Sequence, residues 1–325
     1  MGKKIIGIGN AIVDILCKID ESFLTEQNLT KGSMSLIDDK REQELSKLHQ
    51  IQVTPGGSVA NTIATLAQLS CDAQFIGKVG ADEFGKKFIE DTEKTGAKFI
   101  GENSYSQASA KSFVMITPDA QRTMCTYLGC ASQINERDLD DKVFKGADFL
   151  YLEGYLWDDP QTIEALRKAI AMAKKRGVKI AFSLSDSFCV SRHKRDFVDL
   201  VLNDLDIVFA NEREALELMS LQEFSNDKAF EFFSQNPDLI AVVTRSNNGC
   251  SVFGYGSVID VPVKKVDNIV DTTGAGDAFA AGFFYGLLND FDLEKSAIYG
   301  NLLAGQIIQI VGARFEKEQL QKVKL

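Results

Sequence analysis

The chain has 325 residues, of which 45% are hydrophobic and 25% charged, and its formal net charge is −10. This length allows two or three units, or one large α/β domain with an insertion. The chain has neither the long basic run that would neutralise nucleic-acid phosphates nor an apolar stretch of about 18 residues that could span a bilayer, so we expect no nucleic-acid or membrane partner. Six cysteines without a CxxC pair, with only two histidines, predict free thiols in a cytoplasmic protein rather than a zinc site.

The first predicted element is an apolar strand over residues 5–13, followed directly by Asp14. An unpaired charge beside an apolar strand is costly, and strand ends in open α/β sheets line ligand crevices. Asp14 is therefore a candidate to hold two adjacent hydroxyl groups of a ligand. The alternative is an exposed residue at a strand end.

Two segments, at about 15–38 and 109–128, contain short alternating runs with turn residues. The sequence Pro-Asp-Ala-Gln at 118–121 predicts a hairpin turn between two β-prone runs. No helical pattern separates those two runs. We expect these segments to form a small antiparallel sheet that projects from the main domain.

A glycine pair, Gly56-Gly57, precedes a helical pattern that begins near Asn61. Paired glycines open backbone NH groups to a ligand, and an asparagine side chain both donates and accepts hydrogen bonds. This pattern suits a substrate that carries hydroxyl groups. A Pro-Gly-Gly turn that only caps a helix is the alternative.

The second half of the chain alternates short apolar runs with amphipathic stretches. Strands are predicted over residues 149–152, 178–184, 207–210 and 239–244. Helices are predicted over residues 161–176, 193–202, 211–219 and 227–234. This alternation indicates βαβ units and a mostly parallel sheet. Asn211 and Glu214 have the spacing of an N-cap and its reciprocal partner in a helix capping box.

The strongest local signal is the run from Asp271 to Asp277, which contains Gly274-Ala275-Gly276 and leads directly into an apolar helical stretch. The first NH groups of a helix are unpaired and its N-terminus is electropositive, so this turn suits an anion. Asp277 would repel a bound phosphate, but it could remove a proton from an attacking hydroxyl. An ordinary helix start with an acidic first turn is the alternative. A P-loop motif and a complete dinucleotide fingerprint are both absent.

The early glycine pair with Asn61 and the late run through Asp277 occur in the order seen in the PfkB or ribokinase-like carbohydrate kinases, which the chain resembles over essentially its whole length. The resemblance implies one α/β domain over residues 1–325, with a central mostly parallel sheet flanked by helices. It also implies a small β-sheet lid, formed by about 15–38 and 109–128, that closes over the acceptor.

The resemblance also implies roles for individual residues. Asp277 matches the catalytic base, and the backbone of Gly274, Ala275 and Gly276 matches the anion hole. The positions that hold the hydroxyl groups of the acceptor are matched by Asp14, Gly57 and Asn61. The positions that contact ATP are matched by Asn211, Glu214, Thr244, Gly249 and Arg122. Glu214 would hold magnesium, indirectly through water.

The implied activity is ATP- and magnesium-dependent phosphorylation of a primary hydroxyl of a small acceptor, by a monomer or a homodimer. The N-terminal run through Asp14 is similar to that of adenosine kinases, which favours a nucleoside such as adenosine. Thr273 departs from the asparagine typical of eukaryotic adenosine kinases, and Arg245-Ser246 departs from the usual Leu-Gly. A free sugar (ribose, fructose or a ketodeoxy sugar acid) is the alternative acceptor, and a non-catalytic nucleotide or sugar sensor is the lesser alternative. Phe113 and Trp157 are candidates for the wall that a nucleobase would need.

Overall fold

A computed structural model of the chain describes residues 3–119 and 121–322. The strands are β1 (Lys4–Ile8), β2 (Ile12–Lys18), β3 (Met34–Leu36), β4 (Gln50–Pro55), β5 (Asp72–Ile76), β6 (Val79–Gly80), β7 (Lys98–Ile100), β8 (Asn103–Ser104), β9 (Ala110–Ile116), β10 (Arg122–Tyr127), β11 (Phe149–Glu153), β12 (Lys179–Ser183), β13 (Ile207–Asn211), β14 (Ile240–Thr244), β15 (Cys250–Gly254) and β16 (Ser257–Val261). The α-helices are α1 (Glu21–Glu26), α2 (Asp39–Leu45), α3 (Ser58–Gln68), α4 (Glu83–Lys94), α5 (Pro160–Lys175), α6 (Ser187–Asn203), α7 (Glu212–Met219), α8 (Asn226–Phe233), α9 (Ala275–Leu288), α10 (Leu293–Ile307) and α11 (Lys317–Lys322).

The large sheet has nine strands in the order β16-β15-β14-β13-β12-β11-β1-β5-β7. All neighbours from β14 to β7 pair in parallel, and the two antiparallel pairs, β14–β15 and β15–β16, lie at one edge. The four strands and four helices predicted in the second half are all present, with bounds that differ by a few residues. The prediction of a mostly parallel sheet is therefore confirmed.

Helices cover both faces of the large sheet, and each face has its own apolar core. Residues of α3, α4, α9 and α10 pack on one face, where Tyr151 lies 5.0 Å from Phe284 between ring centroids. Residues of α5, α6, α7 and α8 pack on the other, where Trp157 and Phe182 meet edge to face at 5.5 Å. Strands buried on both faces are apolar almost throughout, which is why they could be recognised in the sequence.

A smaller separate sheet of five strands has the order β3-β10-β9-β2-β4. It contains the strands expected from both β-prone segments, and β9 and β10 form the expected antiparallel hairpin. Ala120, inside the predicted turn, lies outside the described residues. Two features differ from the prediction: β2–β9 and β3–β10 pair in parallel, and the edge strand β4 was not predicted. None of the six residues of β4 is buried, and its alternating pattern is limited to Ile51 and Val53 between polar residues, which was too short a signal to be recognised.

The prediction of one strand over residues 5–13 was wrong. β1 ends at Ile8 in the large sheet, and β2 begins at Ile12 in the small sheet. Between them, Glu153 accepts hydrogen bonds from the backbone NH of Asn10 at 2.8 Å and from its side-chain Nδ2 at 2.9 Å. Asp14 therefore lies in the small sheet, not at the end of a central strand. Within the described ranges, no helix is both long and apolar enough to cross a bilayer.

Candidate active site

The predicted anion turn lies at the N-terminus of α9. Gly274 is the N-cap and has a φ of 76°, and a Cβ atom there would lie 2.6 Å from the Cβ of Ala313. Glycine is required at this position by both its backbone conformation and the space available. A Cβ at Gly276 would meet nothing within 4 Å, because this part of the turn lines an open cleft. The first turn of α9 therefore presents its backbone NH groups to space that a ligand could occupy.

Asp277 lies in that first turn and is held by two side chains of α3. Its Oδ1 accepts a hydrogen bond from the Ser58 hydroxyl at 2.7 Å, and its Oδ2 accepts one from Asn61 Nδ2 at 2.9 Å. Burial raises the pKa of Asp277 to about 6, against the opposing effects of these hydrogen bonds and of the Arg314 charge. A carboxylate with this pKa is mostly ionised at neutral pH and can still accept a proton.

The glycine pair before α3 allows two close approaches. A Cβ at Gly57, which has a φ of 90°, would lie 2.2 Å from the backbone oxygen of Asn10. A Cβ at Gly56 would lie 2.5 Å from Oδ2 of Asp14. The pair thus brings the carboxylate of Asp14 against the turn that starts α3. Burial raises the pKa of Asp14 to about 7, and the charges of Arg314 and Arg122 oppose this rise.

Glu153 was not identified from the sequence, although it is fully buried at the end of β11. Besides its bonds to Asn10, its Oε2 accepts a hydrogen bond from the backbone NH of Val59 at 2.9 Å. It therefore ties the crossing between β1 and β2 to the start of α3. Burial raises its pKa to about 7. A glutamate that ends an apolar run, like the aspartate at position 14, was the signal that could have identified it.

At the other end of the cleft, Asn211 is the N-cap of α7 and forms the predicted capping box with Glu214. Asn211 Oδ1 accepts from the backbone NH of Glu214 at 3.0 Å, and Glu214 Oε2 accepts from the backbone NH of Asn211 at 2.8 Å. Burial raises the pKa of Glu214 to about 7. Thr244 lies beside Asn211 in the β13–β14 register.

All but two of the predicted site residues line one cleft of about 620 Å³. Gly249 lies in the turn before β15, where its φ is 80°, and is not among the lining residues. Arg122 is not among them either, and it forms an ion pair with Asp271 at 2.8 Å. Arg122 lies in β10 and Asp271 begins the anion turn, so this ion pair joins the small sheet to that turn. Asp271 Oδ2 also accepts a hydrogen bond from the backbone NH of Gly312 at 2.7 Å.

The two aromatic candidates for a nucleobase wall were wrong, because Phe113 and Trp157 are fully buried in separate apolar cores. The cleft is instead lined by Tyr155 and Phe188 from the large sheet side, and Phe188 is 74% exposed. Apolar side chains of the small sheet, and of the residue that follows β10, also line the cleft: Met34, Leu36, Met124 and Leu128.

Comparison with known proteins extends over the whole chain. The model of the pfkB family carbohydrate kinases matches residues 26–320. A solved adenosine kinase from Sinorhizobium meliloti is 38% identical, with a TM-score of 0.88 over 96% of this chain and 95% of that one. A solved probable sugar kinase from Rhizobium etli CFN 42 is 36% identical, with a TM-score of 0.90 over 99% and 98%. The adenosine kinase of Saccharomyces cerevisiae is 28% identical, with both chains covered completely. The chain therefore belongs to the pfkB family of carbohydrate kinases, enzymes that transfer a phosphoryl group to a hydroxyl.

Proposed function

We propose that this protein transfers the terminal phosphoryl group of ATP to a primary hydroxyl of a nucleoside, with adenosine as the first candidate. The observation that carries the proposal is the Asp277 carboxylate, which is buried, held by two donors and located in the first turn of α9 beside the open anion turn. The base and the anion site are thus next to each other, as phosphoryl transfer requires.

In this mechanism, Asp277 accepts the proton of the acceptor hydroxyl as that oxygen attacks the phosphoryl group. The backbone NH groups at Gly274, Ala275 and Gly276 stabilise the charge on the transferred group. Asp14 accepts hydrogen bonds from two adjacent hydroxyls of the acceptor. Asn61 already donates to Asp277, and the second proton of its amide is left for the acceptor.

The nucleotide would lie toward Asn211, Glu214 and Thr244, with Gly249 in the adjoining turn. Magnesium prefers a few carboxylates together with phosphate oxygens and water, and no cluster of three ligating side chains occurs among the described residues. The buried carboxylate of Glu214 fits an ion that arrives with the phosphates and is held through water, because a nearby cation would favour its ionised form. When bound, the ion neutralises phosphate charge.

A nucleoside is favoured over a free sugar because the cleft that holds Asp14 and Asn61 is also lined by apolar side chains of the small sheet and by the aromatic rings of Tyr155 and Phe188. A planar base gains from such walls, whereas a free sugar would leave them uncovered. The likeness to the named adenosine kinases supports the same choice, and the likeness to the probable sugar kinase supports the alternative.

The small sheet is proposed to act as a lid over the acceptor. It contributes Asp14 and one wall of the cleft, and Arg122 connects it to the anion turn. Arg122 would exchange Asp271 for phosphate when ATP binds. A cytoplasmic location, and the choice between a monomer and a homodimer, stay predictions.

The test is a phosphorylation screen with ATP and magnesium across nucleosides, ribose, fructose and ketodeoxy sugar acids. We expect kcat/KM for adenosine to exceed that for every sugar at least tenfold, a discrimination of about 1.4 kcal/mol that one filled pocket can supply. A clear preference for a sugar, with adenosine inert, would overturn the nucleoside assignment and leave the kinase chemistry in place. ATP binding without turnover of any acceptor would favour the sensor.

A further inference from the structure

A short irregular segment after α10, residues 312–315, reaches the cleft from the C-terminal part of the chain. Its Gly312 NH donates to Asp271, and its Ala313 packs against Gly274. The backbone oxygen of Phe315 accepts a hydrogen bond from Gln68 Nε2 at 2.9 Å. The segment is therefore attached both to the anion turn and to α3. No motif in the sequence pointed to it.

Arg314 of this segment connects the elements that surround the proposed base. Its Nε donates to Asn61 Oδ1 at 2.9 Å, and its Nη2 donates to the backbone oxygen of Gly56 at 3.3 Å. Its Nη1 donates to Thr92 Oγ1 of α4 at 3.3 Å. The guanidinium carbon lies 5.7 Å from the centroid of the Phe88 ring, which covers one side of the group. Each of the three guanidinium nitrogens thus donates one hydrogen bond within the protein.

The bond to Asn61 determines which way its amide points. A guanidinium only donates hydrogen bonds, so the oxygen of the Asn61 amide must face Arg314. The nitrogen of the amide must then face Asp277, where it donates to Oδ2 at 2.9 Å. With the amide reversed, two oxygens would oppose each other at the base. Arg314 thereby sets the hydrogen bond that Asp277 receives.

The charge of Arg314 matters as well, because the carboxylates around it come from three elements. Asp14 of β2, Asp91 of α4 and Asp277 of α9 all act on it, and they partly offset the burial that lowers its pKa to about 10. Arg314 therefore stays protonated at neutral pH. Asp277 is also faced by two further titratable groups on β11, Glu153 and Tyr151.

We propose that Arg314 is a positioning residue that orients Asn61 toward Asp277 and supplies the positive charge that allows Asp14 and Asp277 to be ionised close to each other. The proposal rests on the proposed function, in which Asp277 is the base and Asp14 holds the acceptor. Arg314 need not touch either substrate to act in this way.

The first test compares Arg314→Gln and Arg314→Lys with the wild type in the pH dependence of kcat, at saturating ATP and acceptor. Loss of the charge raises the pKa of Asp277, so its basic form appears only at higher pH. For Arg314→Gln we expect the acid limb to move up by about one pH unit, which is about tenfold in kcat on the acid side. A kcat that fell equally at every pH would indicate a purely structural role and overturn the proposal.

Arg314→Lys separates charge from geometry, because a single ammonium nitrogen lacks the three separately placed nitrogens that bond Asn61, Gly56 and Thr92. We expect the acid limb to stay near that of the wild type, while kcat at its plateau falls about tenfold, as for one lost hydrogen bond to a charged group. A wild-type plateau in this variant would overturn the positioning role. Arg176→Gln is the matched control, since Arg176 forms an ion pair with Asp141 outside the cleft, and its profile should be unchanged.

The second test needs no activity. Carbon-13 NMR follows the carboxyl titrations of the substrate-free protein, and the Asp277 signal is identified by its loss in Asp277→Asn. We expect Arg314→Gln, shown to be folded by its thermal transition, to raise the pKa of that signal. An unmoved titration would overturn the proposal, and if Arg314→Gln does not fold, the plateau of Arg314→Lys decides. Full turnover by Asp277→Asn would rule out Asp277 as the base. The titration would still test whether the charge of Arg314 acts on Asp277.

Discussion

The two sheets of the molecule differ in what covers their faces. The large sheet is covered by helices on both sides and has a core on each. The small sheet packs one face on a compact cluster that includes Phe113 and Met115, whereas alternate residues of its strands, such as Asp14 and Met124, line the cleft. The small sheet therefore has an apolar core on one face only. The proposed catalytic groups lie on α3 and α9, beside the large sheet, and the proposed lid provides one wall of the cleft, so we expect that wall to open more easily than the elements that carry the base.

The largest expected effect comes from the proposed base in the first turn of α9, beside the large sheet. Asp277→Asn keeps the shape of the side chain but removes the base, so kcat should fall about 10²–10⁴-fold, as for loss of a general base. ATP affinity should change little, because the anion turn is intact. Steady-state kinetics and ATP titration measure the two quantities. Near-native turnover would rule out Asp277 as the base.

The variant should also be more stable than the wild type at neutral pH. Burial raises the pKa of Asp277 from 3.8 to about 6, so the folded state binds more protons than the unfolded state between these values. The ionised carboxylate therefore costs stability as pH rises through that window, by up to about 3 kcal/mol. Urea unfolding at pH 4 and pH 7 should show an advantage for Asp277→Asn only at the higher pH.

Core truncations compare the two sheets directly. Phe182→Ala removes a ring packed between Trp157 and Phe197 in the large core and should lower the free energy of unfolding by about 3–5 kcal/mol. Phe113→Ala removes an equally buried ring from the small core. The lost packing should destabilise the small sheet locally more than it destabilises the whole fold. We expect it to raise KM for the acceptor and to shift the main thermal transition less. Equal shifts of that transition would show that the two sheets unfold as one unit.

The smallest expected effect concerns the contact between the sheets. Arg122→Gln removes the charge that faces Asp271, whose carboxylate keeps its hydrogen bonds from Thr273 and Gly312, so opening of the small sheet should increase about fivefold, or about 1 kcal/mol. Hydrogen exchange should report this as faster exchange in β9 and β10, with β11 and β12 unchanged. Acceptor binding to the wild type should slow exchange in the same strands. Protection confined to the second half of the chain would contradict the lid, and Arg176→Gln again serves as control.

The difference in how the two sheets are covered also determined which elements could be predicted from the sequence. The strands of the large sheet are apolar runs between amphipathic helices, and the anion turn is marked by glycines that its geometry requires, so both could be predicted. β4 could not, because none of its residues is buried and its place is set by pairing with β2. The break after Ile8 depends on Glu153, which lies more than a hundred residues away in the chain.

The role proposed for Arg314 could not be predicted from the sequence either, because it depends on contacts that are distant in the chain. Its partners Asn61, Gly56 and Thr92 come from the first third of the chain, and nothing in residues 312–315 resembles a known motif. Phe113 and Trp157 were chosen by residue type, although only tertiary packing decides whether an aromatic ring faces a core or a cleft. Tyr155, close to Trp157 in sequence, lines the cleft instead.

The parallel pairing of β2 with β9 has a consequence for how the protein is made. Ile12 pairs with Ala110, so the second strand to leave the ribosome must wait for nearly a hundred further residues before its neighbour exists. Until then β2 and β4 have only each other, and the edge of β2 that later pairs with β9 is open, a state in which strands can pair with the wrong partners. Such distant contacts also form slowly. All five strands of the small sheet lie within residues 12–127, so this wall of the cleft can assemble while most of the large sheet and the anion turn are still to be synthesised.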